Sequence, residues 1–226
     1  MAIELLIFDL DGTLADTKLD LAHAVNATRV RFGLPPLDNE LVYSYVGNGA
    51  PVLIRKAMGP GYSEAEIQPP LEYFLAHYRE HMLDNATLYP GVRESLDRLR
   101  AEGVRMAVLT NKPEKLSQEM LAGLGVSEYF FRICGGNSTV QKKPDPAGVR
   151  ILLEETGIPK ERALMVGDSA VDVLTARNAG IAVCGVTYGF QPESLAGEPP
   201  DILVDRMQDL ADMVVAERNL KGATRS

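Results

Sequence analysis

Apolar residues along the chain fall into two rhythms. Short runs of branched and aliphatic side chains at 3–10, 104–110, 132–134, 163–166 and 181–186 each end on a turn-forming or polar residue, the pattern of strands buried on both faces. Between the later runs, 92–102, 115–124, 146–156 and 172–179 carry apolar residues three and four apart, which predicts amphipathic helices. Strands alternating with helices imply parallel strands joined by helical crossovers. The expected fold class is α/β: a Rossmann-like parallel sheet with helices on both faces.

From Leu14 to Leu83 the rhythm changes. Helical periodicity, aromatic residues and Pro/Gly breaks are present, but no run predicts a strand. Four helices are expected, at 18–32, 39–45, 50–58 and 64–83, separated by 33–36, 47–49 and 59–61. The implied organisation is an α/β core built from 1–14 and 84–226, with an inserted α-helical cap at 15–83. The residues after Leu220 are expected to fray.

Composition narrows the function classes. The chain has 226 residues, 46% hydrophobic and 24% charged, which excludes a wholly disordered protein and allows a full core with an insert. A net charge of −8 works against broad attraction to nucleic acid or anionic lipid. No segment approaches the ~18 apolar residues of a spanning helix. The start, MAIELLIFDLDGTLADT, is broken by Glu4, Asp9 and Asp11 and lacks the basic opening and long apolar stretch of a signal peptide. Cys134 and Cys184 make neither a disulfide framework nor a paired-cysteine zinc pattern. The expectation is a cytoplasmic monomer or homodimer with no nucleic-acid or membrane partner.

Ligands of an open α/β sheet bind beyond the carboxyl ends of its strands. There the sequence places Asp9 and Asp11, then Thr110 and Asn111, then Asp168, with Lys143 in a loop that opens a helix. Asp9 and Asp11 are two apart, on one side of extended backbone, and Gly12 permits a sharp turn. Together with Asp168 these carboxylates repel. A hard divalent cation relieves that, and Mg2+ favours a few carboxylates plus water and phosphate oxygens. A raised pKa suited to acid/base work is the other relief.

Asp172, four residues after Asp168, shares its helical face as a metal-directed or orienting carboxylate, or is simply a surface aspartate near a helix start. Thr110 and Asn111 either donate to a phosphoryl group or cap the next helix. Lys143 either neutralises phosphate or is an exposed lysine beside Lys142. Taken together, the set supplies what phosphoryl transfer needs: a nucleophile, a metal, charge stabilisation and an acid. Phosphate monoester hydrolysis requires up to ~10²¹-fold acceleration and one acid/base group gives ~10²–10⁴, so a site of several parts is expected.

The segments FDLDGTLADT, VLTN, KKPDP and VGDSAVD, in this order, resemble the motifs of the haloacid dehalogenase-like phosphohydrolase superfamily. The resemblance implies that Asp9 attacks phosphorus to form an aspartyl-phosphate, and that Asp11 protonates the leaving oxygen and later activates water. Thr110 and Lys143 would hold the phosphoryl oxygens. Mg2+ would be bound by Asp9, the Asp11 backbone carbonyl and Asp168, with Asp172 orienting them. The acid at Asp11 argues against carbon–halogen cleavage, which has no alkoxide to protonate.

Within the superfamily, YVGNGAPVLIRKAMG and VGDSAVDVLTARNAGIAVCGVTYGF are most similar to bacterial phosphoglycolate phosphatases. This implies a small phosphate ester as substrate, 2-phosphoglycolate in the first place. Gly47 and Asn48 would approach its carboxylate through backbone amides, with Arg55 or Lys56 nearby, or would form only an inter-helix turn. A phosphosugar mutase, a phosphatase for sugar phosphate or pyrophosphate, and a non-catalytic phosphate-binding module are the alternatives. The run His77-Tyr78-Arg79-Glu80-His81 matches a zinc-protease pattern, but it lies in the expected cap and has no identifiable third ligand.

Overall fold

The computed structural model describes residues 2–222, with side chains to residue 219. In chain order the elements are β1 (Leu5–Phe8), β2 (Ala15–Asp16), α1 (Lys18–Arg31), α2 (Asn39–Tyr43), α3 (Ala50–Met58), α4 (Glu64–His81), β3 (Thr87–Leu88) and α5 (Val92–Ala101). They continue with β4 (Arg105–Leu109), α6 (Glu114–Gly123), β5 (Arg132–Cys134), α7 (Ala147–Thr156), β6 (Ala163–Gly167), α8 (Ala170–Ala179), β7 (Ala182–Val186), β8 (Ile202–Val204) and α9 (Met207–Gly222). Six strands form one sheet in the order β5-β4-β1-β6-β7-β8, and every pairing in it is parallel. No helix among the described residues is long and apolar enough to cross a membrane.

Alternation along β1 explains why its run is apolar throughout. Leu5 and Ile7 join one buried cluster with Val149 and Leu152 of α7 and Val173 and Ala176 of α8. Leu6 and Phe8 join the other, with Leu96 and Leu99 of α5, Leu121 of α6 and Leu210 of α9. A strand covered on both faces has no solvent side to keep polar. Each such Leu, Ile or Phe contributes at most about 1.5–3 kcal/mol by burial. The second cluster runs on into α3 and α4 through Ile54, Phe74 and Tyr78.

The five strand runs and eight helices of the sequence pattern are all present, with ends shifted by a few residues. Three strands and one helix are additions. β2 and β3 form an antiparallel ribbon pairing Ala15 with Leu88 and Asp16 with Thr87, so the expectation of no strand between Leu14 and Leu83 is corrected at Ala15–Asp16. β8 adds a sixth, edge strand, and α9 covers the Leu6/Phe8 face with Met207, Leu210, Ala211 and Val214. The fraying expected after Leu220 falls largely on 223–226, outside the described residues.

Local signals set the helical segment. Ser63 and Glu66 form a reciprocal capping box at the start of α4, satisfying two otherwise orphan amides. Asp20 of α1 accepts from the Asn85 amide at 3.0 Å, the Asn85 side chain at 2.7 Å and the Ala86 amide at 2.9 Å. The chain therefore leaves and re-enters the sheet domain at one tied point, beside the carboxyl end of β1.

Candidate active site

Asp9 directly follows β1, and its amide still donates to Val166 of β6 at 2.9 Å. Its Oδ1 accepts from the Leu10 amide at 2.8 Å and lies 3.0 Å from Lys143 Nζ. Asp168 follows β6. Its Oδ2 accepts the amides of Phe190 at 2.6 Å and Gln191 at 3.3 Å, and Thr13 Oγ1 lies 3.5 Å from its Oδ1. Asp172, on the first turn of α8, accepts from Lys143 on Oδ1 at 2.6 Å and from the Ser169 hydroxyl at 2.8 Å and amide at 3.2 Å on Oδ2. It is fully buried, so the surface reading of this residue is set aside.

Ligand oxygens of Asp9, Asp168 and Asp172 all lie within 4.8 Å of one another. Burial is the main cause that raises Asp9 to about 6; Lys143 pulls it down and Asp172 pushes it up. Burial, then the charges of Asp172 and Asp9, raise Asp168 to about 8. Burial disfavours the Lys143 ammonium, yet Asp172 and Asp9 outweigh it and hold that pKa above the ordinary lysine value. Three buried carboxylates against one lysine leave uncompensated negative charge. A divalent cation with oxygen-ligand preference fits this donor set, with Asp9 and Asp168 to hold it and Asp172, whose two oxygens are engaged by Lys143 and Ser169, to orient them.

Gly12 makes the cluster compact. A Cβ there would lie 2.4 Å from Asp168 Oδ2, and its φ is +84°, so only glycine lets the first strand's turn approach the third carboxylate.

The Asp11 side chain lies outside this cluster. It accepts from Thr17 Oγ1 at 2.6 Å and from Lys112 Nζ, 2.9 Å to Oδ1 and 3.3 Å to Oδ2. Lys112 in turn donates to the Tyr78 hydroxyl of α4 at 2.7 Å. Burial works against the Lys112 ammonium, but the Asp11 charge and the Tyr78 contact hold its pKa above the usual value. Burial pushes the Tyr78 hydroxyl up to about 12, so it stays protonated.

These groups face a cavity whose walls include Asp9, Asp11, Thr110, Asn111, Lys112, Asp168 and Gln191 from the sheet side, and Leu21, Gly47, Leu53, Phe74 and Tyr78 from the helical segment. Asn111 Nδ2 donates to the Gly47 carbonyl at 3.0 Å and the Lys143 carbonyl at 3.1 Å. Gln191 Nε2 donates to the Val46 carbonyl at 2.8 Å. Gly49 has φ +84°, and a Cβ there would fit only tightly, 3.0 Å from the Asn111 carbonyl oxygen and 3.1 Å from Lys142 Nζ. Two side-chain amides and one close glycine thus clasp the α2–α3 turn onto the sheet's loops.

Sequence-derived candidates divide accordingly. Asp9, Asp11, Thr110, Asn111, Gly47 and Asp168 line the cavity, while Lys143 and Asp172 support Asp9 from behind. Thr110 Oγ1 accepts the Lys112 amide at 3.3 Å. Asn48 does not line the cavity, and its carbonyl is taken by Lys142. The expectation for Arg55 and Lys56 is corrected: Arg55 pairs with Glu64 at 2.5 Å and Lys56 lies over the Tyr45 ring, both away from the cavity. His77 and His81 stay on the outer part of α4, where His81 pairs with Asp84 at 2.9 Å. The cysteines are buried and free. Lys112, Tyr78 and Gln191 are site residues that the sequence reading did not single out. The strand-end rule reaches Lys112, two residues past Thr110, but no local pattern says that its ammonium turns inward.

A family model for haloacid dehalogenase-like hydrolases matches residues 6–186. The chain is 41% identical over 213 residues to the phosphoglycolate phosphatase of Pseudomonas fluorescens Pf0-1, covering 91% of this chain and 78% of that one. It is 40% identical over 217 residues to that of Chromobacterium violaceum, covering 94% and 96%. The crystal structure of a predicted phosphoglycolate phosphatase from Haemophilus somnus 129PT superposes with a TM-score of 0.88 at 35% identity, over 93% of this chain and 97% of that one.

Proposed function

Because the chain belongs to the haloacid dehalogenase-like hydrolase family, we propose that Asp9 is the nucleophile of a Mg2+-dependent phosphatase that cleaves 2-phosphoglycolate to glycolate and phosphate. The carrying observation is the arrangement around Asp9: a buried carboxylate with Lys143 on its Oδ1 at 3.0 Å, Asp168 within metal-sharing distance and Asp11 lining the same cavity. Relatives named phosphoglycolate phosphatase, at about 40% identity over nine-tenths of the chain, support the substrate.

In the first half of the reaction a carboxylate oxygen of Asp9 forms a bond to phosphorus as the bond to the glycolate oxygen breaks. Asp11 gives that oxygen its proton. Water then attacks the aspartyl-phosphate, Asp11 takes the water's proton, and phosphate leaves with Asp9 restored. Lys143 fixes Asp9 and offsets charge at the phosphoryl group, and Thr110 lies at the same wall. Asp9 and Asp168 would hold Mg2+, which when bound would supply electrostatic stabilisation of the phosphoryl oxygens. Residues 15–83 act as the cap, and the Asn111 and Gln191 clasps hold it closed over the substrate, excluding bulk water.

The test is phosphate release, with Mg2+ and with EDTA, from 2-phosphoglycolate, sugar phosphates, pyrophosphate and β-glucose 1-phosphate. Metal-dependent kcat/KM highest for 2-phosphoglycolate is expected. A higher value for another ester would reassign the substrate, and an isomerised sugar phosphate without free phosphate would reassign the reaction.

A further inference from the structure

Apart from its carboxylates and amides, the cavity is strongly apolar: Leu21, Val46, Leu53, Phe74, Leu75 and Leu116 face it. Among the described residues, Lys112 is the only lysine or arginine that lines it. An ammonium has three N–H donors. Lys112 Nζ lies 2.9 Å from Asp11 Oδ1, 3.3 Å from Asp11 Oδ2 and 2.7 Å from the Tyr78 hydroxyl oxygen, so Asp11 and Tyr78 hold the ammonium at the cavity wall. The Tyr78 hydroxyl accepts from Lys112 and keeps its own O–H to donate.

The position of this pair relative to Asp11 is informative. The leaving oxygen must come within hydrogen-bond reach of the Asp11 carboxyl, roughly 2.6–3.2 Å, and Lys112 Nζ is 2.9 Å from that same carboxyl. A group attached one carbon beyond the leaving oxygen is therefore within reach of Lys112 and Tyr78. An anionic group there would otherwise be buried against leucine and phenylalanine, where an unpaired charge is strongly disfavoured.

We propose that Lys112, together with the Tyr78 hydroxyl, is the specificity subsite for a carboxylate carried one carbon from the leaving oxygen. The subsite rests on the phosphoglycolate reading and names the residues that would enforce it. It spans the two halves of the molecule, with the cation on the loop after β4 and the hydroxyl on cap helix α4. An acid-bearing ester is thus held by a cation from the core and a donor from the cap together.

The experiment compares kcat/KM for 2-phosphoglycolate with that for 2-hydroxyethyl phosphate, which keeps the ester bond and replaces the carboxylate by an alcohol. In wild type the ratio should be well above one. Lys112→Met should lower it about 10–100-fold, the range of a lost charged hydrogen bond, mainly through KM for phosphoglycolate, and Lys112→Arg should keep most of it. Tyr78→Phe should lower the ratio several-fold without removing the ring. If Lys112→Met slows both esters equally, Lys112 acts only through Asp11 and the subsite is overturned. If that variant does not fold, an unchanged ratio in Tyr78→Phe overturns the subsite. A wild-type ratio at or below one instead removes the phosphoglycolate reading itself, a result separable from a wild-type preference that survives Lys112→Met.

Discussion

At the scale of single residues, the site concentrates negative charge that the protein alone does not neutralise. Asp9→Asn keeps the volume and the Leu10 amide contact but removes the proposed nucleophile, so phosphate release from 2-phosphoglycolate should fall by roughly 10³-fold or more, with Tm little changed. Retained turnover would reassign the attack. Asp168 carries a pH signature. Its pKa in the folded protein, about 8 against an ordinary 3.8, means that the native state holds a proton the unfolded chain has released. Stability from this group is therefore full below about pH 4 and is lost as pH rises towards 8. In EDTA, Asp168→Asn should match wild type near pH 4 and be more stable at pH 8, by at least about 1 kcal/mol or roughly 2–4 °C. A difference in Tm that is constant with pH would contradict this cause. Since a divalent cation takes the proton's place, the Tm increment from Mg2+ in wild type should grow over the same interval.

At the scale of elements, the clasp between loops and cap makes a sharper statement than any one helix. Gln191 connects two functions: its backbone amide holds Asp168 and its side chain holds the Val46 carbonyl. Gln191→Ala removes only the second. Loss of the Val46 hydrogen bond, with the longer 3.4 Å contact to the Ser44 carbonyl, costs about 0.5–1.5 kcal/mol and predicts a KM for 2-phosphoglycolate raised about 2–10-fold with a smaller change in kcat, and steady-state kinetics with unaltered KM would show that the clasp does not aid closure. What the sequence made legible follows the same scale. Continuous apolar runs revealed five sheet strands because burial on both faces removes all polar positions. The two-residue strands β2 and β3 cannot express a period, and β8, an ILV run of three partly exposed edge residues, is too short to stand out. The apolar spacing of α9 at Met207, Leu210, Ala211 and Val214 is present in the sequence. Acidic site residues were legible because strand ends gather them. The reach of Lys112 to Tyr78 was not, because it joins residues 34 positions apart through packing that local pattern does not encode.

At the scale of the whole molecule, the question is whether cap and core unfold as one body. The apolar cluster on the Leu6/Phe8 face of the sheet continues without a break into Ile54 of α3 and Phe74 and Tyr78 of α4, while Asp20 of α1 ties the start of this segment to Asn85 and Ala86 at its end. A cap that shares its core with the sheet loses its support when the sheet melts, so the two should be one cooperative unit. Ile54 decides the matter well, because it is fully buried yet absent from the cavity wall. Ile54→Ala should cost about 2–5 kcal/mol through lost burial and the cavity left behind, lowering Tm by roughly 5–15 °C. Under the shared-core arrangement that shift moves a single calorimetric transition, with near- and far-UV circular dichroism still coincident. A cap held only by its clasps would give a different trace: an early, small transition carrying the helical signal of 15–83, followed by an unshifted transition of the sheet domain. The continuity of the buried cluster predicts the first trace, and with it a cap that closes by small adjustments about the β2–β3 ribbon without unfolding.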